Sequence, residues 1–405
     1  MANMNSKFIY RTFCLLIFIF FNTNSQAQKT RAQYPPFLSN SYVSMNVGYI
    51  NYPFSQKQLE PGFSSESVTI PHIGVRISLG HQFNKYLSFQ IDYIRPVEWV
   101  QYNNINGDNR SHSVWMNIAS LTFRGYYPIV KKLSVYGEVG FSLVTRHGFD
   151  TYNVRVKSAT IPNVLFGAGL NYHIKHNWDL LFSAAYTPPS NKYNQPHSFV
   201  ATAGFAYYFR PNSPEKVKEI EDSKYIFPRN VIQIGYTNDI VGFEANKNFT
   251  FSPSRPGIPI FWLGDIKVGQ GISITYVRNI YHGRKIFSFD WGISASFWQS
   301  SINKTNVFTL AIFPAVKFWF LHSRPIDIYF VYSVAGPAFI SQKVVDGINS
   351  GEHFTFQDFL GIGSFFGDSR RINFELRIEH FSNGNLFPAN DGYAIPLTFI
   401  LGYAF

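Results

Sequence analysis

From Leu133 the chain alternates with a period of two. Leu133, Val135, Gly137, Val139, Phe141 and Leu143 form one row, and Ser134, Tyr136, Glu138, Gly140 and Ser142 form the other. Successive side chains of a strand point to opposite faces, so one face here is apolar and the other polar or small. The same period runs through Phe199, Ala201, Ala203, Phe205, Tyr207 and Phe209, and through Leu397, Phe399, Leu401, Tyr403 and Phe405. This pattern predicts an all-β chain. A soluble sandwich would hide the apolar face against a second sheet. A transmembrane barrel would turn it to lipid.

Composition separates the two. Aromatic residues make up 18% and charged residues only 15%, against about a quarter charged in soluble proteins. Mean hydropathy is close to zero, which excludes a helical membrane protein. No apolar run approaches the length of a spanning helix. Lipid offers backbone groups no partner, so strands can span only as a closed barrel. The expected fold is therefore transmembrane antiparallel β-barrels.

Residues 1–27 read as a signal peptide. Lys7 and Arg11 precede the nine-residue apolar run Phe13 to Phe21, and Ser25-Gln26-Ala27 is a small-x-small cleavage site. Cys14, the single cysteine, lies in that leader, which excludes disulfides and thiolate metal sites from the mature chain. The net charge of +11 falls to +9 once the leader's two cations are removed. In an exported protein that balance suits an anionic membrane surface better than nucleic acid.

The terminal row Leu401, Tyr403, Phe405 resembles the signal that the outer-membrane barrel assembly machinery reads in Gram-negative bacteria. A similar ending, Phe205, Tyr207, Phe209, occurs mid-chain, followed by Pro211, Pro214 and seven charges between Glu215 and Lys224. Such a segment reads as a solvated linker. The expected organisation is two tandem eight-stranded barrels, 28–209 and 226–405, joined by a mobile periplasmic linker at 210–225. The alternative is one barrel of about 16 strands. Eight strands leave an interior just wide enough to be filled with side chains. Even strand numbers put both termini and the linker on the periplasmic side, with long turns such as 103–109 outside.

One segment stands out for chemistry. Ile372, Phe374, Leu376 and Ile378 form an apolar row continued by His380 and Ser382, while Asn373, Glu375, Arg377 and Glu379 alternate with them. The charged row belongs in a lumen, so His380 and Ser382 should face lipid. Residues two apart on a strand share a face, which places an imidazole beside a hydroxyl whose proton it could take. The final strand runs to the periplasmic end, so the preceding one runs outward and its top lies near Ser382. That is the depth of outer-leaflet ester bonds. The first unit has no comparable motif and reads as an anchoring, assembly or lipid-binding barrel. No cofactor or metal motif occurs.

His380-Phe381-Ser382-Asn383-Gly384, with Asn390-Asp391-Gly392, the strand Glu375 to Ile378, the stretch Phe354 to Gly363 and the last strand, resembles the lipid A 3-O-deacylase (PagL-type) family, whose relatives are often labelled acyloxyacyl hydrolases. The resemblance implies an outer-membrane serine esterase that removes an ester-linked acyl chain from the lipid A of lipopolysaccharide. It implies His380 as general base, Ser382 as nucleophile, and Asn383 and Gly384 as oxyanion donors. The family places an acid on the last strand about a dozen residues after the serine. Here that place falls on Ala394 or Ile395, and Asp391 is the expected substitute. The competing reading is a non-enzymatic structural or adhesive outer-membrane barrel.

Overall fold

The computed structural model describes residues 31–148, 155–249, 264–384, 387 and 389–405, so the leader lies outside it. Eight strands form the first barrel: β1 Ser41–Asn51, β2 Ile73–Asn84, β3 Leu87–Pro96, β4 Ser111–Val130, β5 Leu133–Gly148, β6 Ala159–Lys175, β7 Trp178–Thr187 and β8 Ser198–Tyr208. Each pairs antiparallel with the next, and β1 closes on β8 with Met45 opposite Phe205. The second barrel comprises β9 Asn230–Asn238, β10 Ile266–His282, β11 Phe287–Ser300, β12 Asn306–His322, β13 Ile326–Ile340, β14 Phe354–Phe366, β15 Ile372–Ser382 and β16 Tyr393–Ala404. It closes between β9 and β16, with Ile234 opposite Leu401. No described strand of one barrel pairs with a strand of the other, so two barrels form rather than one of about 16 strands.

The alternation seen in the sequence sorts the side chains. Val43, Met45 and Val47 of β1 and Val139 and Phe141 of β5 are exposed on the outer wall, as are Ile234 of β9 and Leu401 of β16. The lumens hold the charges. In the first barrel, buried Arg76 reaches Asp92 at 2.9 Å and Glu138 at 2.7 Å, and Arg124 reaches Glu138 at 2.6 Å. In the second, Arg377 meets Glu375 at 2.5 Å, the Tyr329 hydroxyl donates to Glu375 at 2.7 Å, and Lys317 meets Asp290 at 2.8 Å. Each charge removed from water here has an opposite partner, without which it would cost several kcal/mol.

The rim bearing Ser41, Tyr208, Asn230 and Ala404 is the terminal rim; the other is the far rim. The linker is more ordered than its run of charges suggested. Helix α1, Pro214–Glu221, starts at Ser213, whose Oγ accepts from the Lys216 amide at 3.3 Å, and Ile220 is buried. Glu219 pairs with Arg284 of the second barrel at 3.0 Å. The chain before β1 also joins the barrels. Arg31 donates to the Phe227 carbonyl at 2.8 Å and to Asn279 Oδ1 at 2.9 Å. The Tyr34 ring stacks on Tyr281 at 4.2 Å while its hydroxyl lies 3.0 Å from that of Tyr207.

Glu138 neutralises two buried guanidinium groups at once. Glu138→Ala should cost about 3–5 kcal/mol, read as a lower urea midpoint for loss of the folded species in a gel-shift unfolding assay.

Candidate active site

The site lies on the outer wall of the second barrel at its far rim. β14, β15 and β16 run side by side there. Glu379 and Phe381 face the lumen: Glu379 accepts from Gln357 Nε2 at 2.8 Å, and Phe381 packs in the interior cluster with Trp298 and Ile395. His380 and Ser382, on alternate positions, therefore face outward. Ser382 is half-buried and His380 is buried.

The wall around His380 is not bare. A short helix, α2 (Glu244–Phe249), lies on it, and Ala245 packs with Leu360, Ile378 and Leu397. Its position follows from a break in the ladder. Pro396 cannot donate to β15, and proline inside a sheet is confined to edges and bulges. The register shifts there, so that Pro396 and Leu397 stand opposite Ile378 alone. Asn246 donates its side-chain amide to the Ile395 carbonyl at 2.9 Å. The shift changes the phase of β16. Ile395 turns inward and Ala394, directly opposite His380, turns outward.

On its other side, His380 is directly opposite Asp358 of β14. Asp358 Oδ2 lies 3.4 Å from His380 Nδ1. Asp358 Oδ1 accepts from the Ala335 amide at 2.7 Å. That amide is available because β13 bulges: Val334 and Ala335 stand opposite the single residue Asp358, and Ala335 adopts a φ of +53°. A carboxylate on the lipid face without such partners would be costly. The far side of the imidazole faces Gly392. A Cβ at Gly392 would lie 2.9 Å from His380 Nε2, and its φ is +62°. The absent side chain leaves Nε2 its space.

The expected site residues fall as follows. His380 and Ser382 share the outer face, but the Ser382 hydroxyl makes no hydrogen bond to any described residue. Asn383 is fully buried and its side-chain amide donates to the carbonyls of Ser350 at 3.1 Å and Ala389 at 2.8 Å, while its backbone amide donates to Asn390 Oδ1 at 2.7 Å. Asn383 thus fastens the loop. Gly384 is exposed, with a φ of +62°, and its amide makes no hydrogen bond to a described residue. Among the described residues no hydrogen bond or ion pair is recorded between Asp391 and the imidazole. The Asp391 main-chain carbonyl accepts from the Asp265 amide at 2.7 Å. Burial first, and then the neighbouring Asp265 carboxylate, push its carboxyl above the usual range, with His147 of the first barrel pulling the other way. The acid that the structure does bring to His380 is Asp358.

Asp358 had a signal in the sequence. In β14 the outward row is Phe354, Phe356, Asp358, Leu360 and Ile362, a carboxylate in an otherwise apolar lipid-facing series.

Residues 270–396 match the family model described as lipid A 3-O-deacylase (PagL). Residues 13–209 match the one described as outer membrane protein beta-barrel domain. No curated protein sequence matches the chain. Among solved structures, the outer membrane enzyme PagL is similar at 15% identity over 43% of this chain and 99% of that one, with a TM-score of 0.30. The N-terminal barrel of Pseudomonas aeruginosa OprF gives 15%, 42%, 97% and 0.27. Neisserial surface protein A gives 17%, 42%, 97% and 0.29. The chain is an outer-membrane β-barrel protein of a Gram-negative bacterium. Its second barrel resembles the lipid A 3-O-deacylase family.

Gly392→Ala should press a methyl group onto His380 Nε2 and force a strained left-handed backbone, costing about 1–2 kcal/mol. The expected result is a displaced His380 imidazole resonance in NMR of the folded barrel, with the other histidines unmoved.

Proposed function

We propose that the second barrel is a serine esterase that removes an ester-linked acyl chain from lipid A. The observation that carries this reading is the composition of the outer wall at the far rim. A hydroxyl and an imidazole stand on one lipid-facing row, and a carboxylate stands against the imidazole. The match of residues 270–396 to the deacylase family model supports it. With both termini periplasmic, the far rim lies in the outer leaflet, where lipopolysaccharide carries its ester bonds. Substrate would arrive by lateral diffusion, and no passage through the filled lumen is needed.

His380 Nε2 takes the proton of Ser382 Oγ as the oxygen attacks the acyl carbonyl. The carbonyl oxygen gains the negative charge, and the Gly384 amide, which makes no hydrogen bond to a described residue, is a donor close to the nucleophile in sequence. Collapse breaks the bond between the carbonyl carbon and the sugar oxygen, which takes the proton from His380. Water, deprotonated by His380, then releases the fatty acid from Ser382. The hydroxyl and the imidazole must close to hydrogen-bond distance when substrate binds, as catalytic contacts that are long in empty sites commonly do. The first barrel, in which no comparable row occurs among the described residues, is read as an anchoring, assembly or lipid-binding barrel.

A second reading, a non-enzymatic structural or adhesive barrel, draws on the unbonded Ser382 hydroxyl. The two are separated by fatty-acid release from purified lipid A in mixed micelles. Ser382→Ala should lower release by at least about 10³-fold in a protein that still shows the gel mobility of a folded barrel. Equal release from the parent and the variant would remove Ser382 from the mechanism. No release from the parent on any lipid A tested would favour the second reading.

A further inference from the structure

We propose that Asp358 is the positioning residue that holds the His380 imidazole in its working tautomer, from the strand on the opposite side to the one the related family uses. The proposal rests on the esterase reading for its catalytic consequence, but not for its geometry.

In the related family the acid stands on the last strand. The corresponding position here is Ala394, directly opposite His380 on β16 and facing outward. Alanine cannot accept a proton from Nδ1. β15 has a second neighbour, β14, and the residue directly opposite His380 on that side is Asp358. Antiparallel partners directly opposite each other lie about 4.5–5.5 Å apart at Cα, so either flank can deliver a carboxylate to the same ring nitrogen. The flank has changed and the relation of acid to imidazole has been kept.

Three further observations support Asp358. Its two oxygens are divided between two tasks. Oδ1 is fixed by the Ala335 amide at 2.7 Å, and Oδ2 is left to face Nδ1. The bulge in β13 that presents this amide requires a left-handed φ at a non-glycine residue, a strained feature that a plain barrel wall does not need. The two other acids near His380 are otherwise engaged. Glu379 faces the lumen, where Gln357 donates to it and Arg377 lies 3.8 Å away. The Asp391 main chain accepts from the Asp265 amide, and the ion pair recorded for His380 is with Asp358.

A carboxylate at Nδ1 keeps the proton on that nitrogen and leaves Nε2 as the acceptor that the serine needs. Asparagine at position 358 reverses this. Its oxygen can still accept from Ala335, so the bulge stays anchored, but its NH₂ would then face Nδ1 and favour the tautomer protonated at Nε2.

The test combines a spectroscopic readout with a kinetic one on the full chain folded in detergent micelles. ¹⁵N-labelled histidine signals, with His380 assigned through His380→Gln, report which ring nitrogen carries the proton. The parent should show His380 protonated at Nδ1, and Asp358→Asn should move the proton to Nε2. Fatty-acid release from lipid A should fall by about 10²–10⁴-fold in Asp358→Asn and stay within about threefold of the parent in Asp391→Asn. A loss of barrel structure would also lower release, but it would abolish the folded gel mobility and would not yield a clean change of tautomer. If the parent released no fatty acid while the tautomer still switched, the positioning role would stand and the esterase reading would fall. An unchanged His380 tautomer in folded Asp358→Asn would overturn the proposal. So would undiminished release from an active parent, or a large loss in Asp391→Asn instead.

Discussion

Everything in this structure depends on the requirement that no polar group be left unpaired in lipid. Closing each sheet satisfies the backbone. Filling each lumen with paired charges, such as Arg76 between Asp92 and Glu138, satisfies the side chains that the alternation turns inward. A filled eight-stranded lumen leaves no room for a substrate. Polar chemistry in such a protein must therefore sit on the wall, where every charged or hydrogen-bonding group needs its own local partner. Asp358 meets that demand with the Ala335 amide on one oxygen and the His380 ring on the other.

Bulges occur elsewhere in both barrels, but several departures from regular barrel geometry meet at this place. Pro396 breaks the ladder between β15 and β16, and Asn246 of α2 takes up the carbonyl of Ile395. β13 bulges at Val334 and Ala335 to offer an amide to Asp358. Gly392 leaves space beside Nε2. Each is an irregularity that the fold alone does not call for, and each acts on His380 or on the residue opposite it. Local strain that converges on one side chain is the pattern expected where geometry serves chemistry.

Much of this was legible in the sequence. The rows Leu133 to Leu143 and Ile372 to Ser382 gave the strands and their faces, because a period of two is fixed by the backbone and survives any loop. The break after Phe209 marked the division into two barrels. The identity of the acid at His380 was harder to see, because it depends on which strand lies beside β15 and in what register. Counting along the last strand leads to Ala394 and then to nearby Asp391. Only the pairing of β14 with β15 shows that Asp358 stands opposite His380. The apolar outward row Phe354, Phe356, Leu360 and Ile362, interrupted by Asp358, carried that information without showing its meaning. Helix α2 was missed because six residues make too short a periodic signal, and the linker helix because its charges read as solvated chain.

The central claim is that a lipid-facing serine and histidine on the second barrel act on outer-leaflet lipid A. Its most direct test is the mass spectrum of lipid A extracted from Gram-negative cells that make this protein, compared with cells that lack it. The expected spectrum shows a species lighter by one ester-linked acyl chain, present only where the protein is made. Identical spectra from the two, with the barrel shown to be folded in the outer membrane, would contradict it.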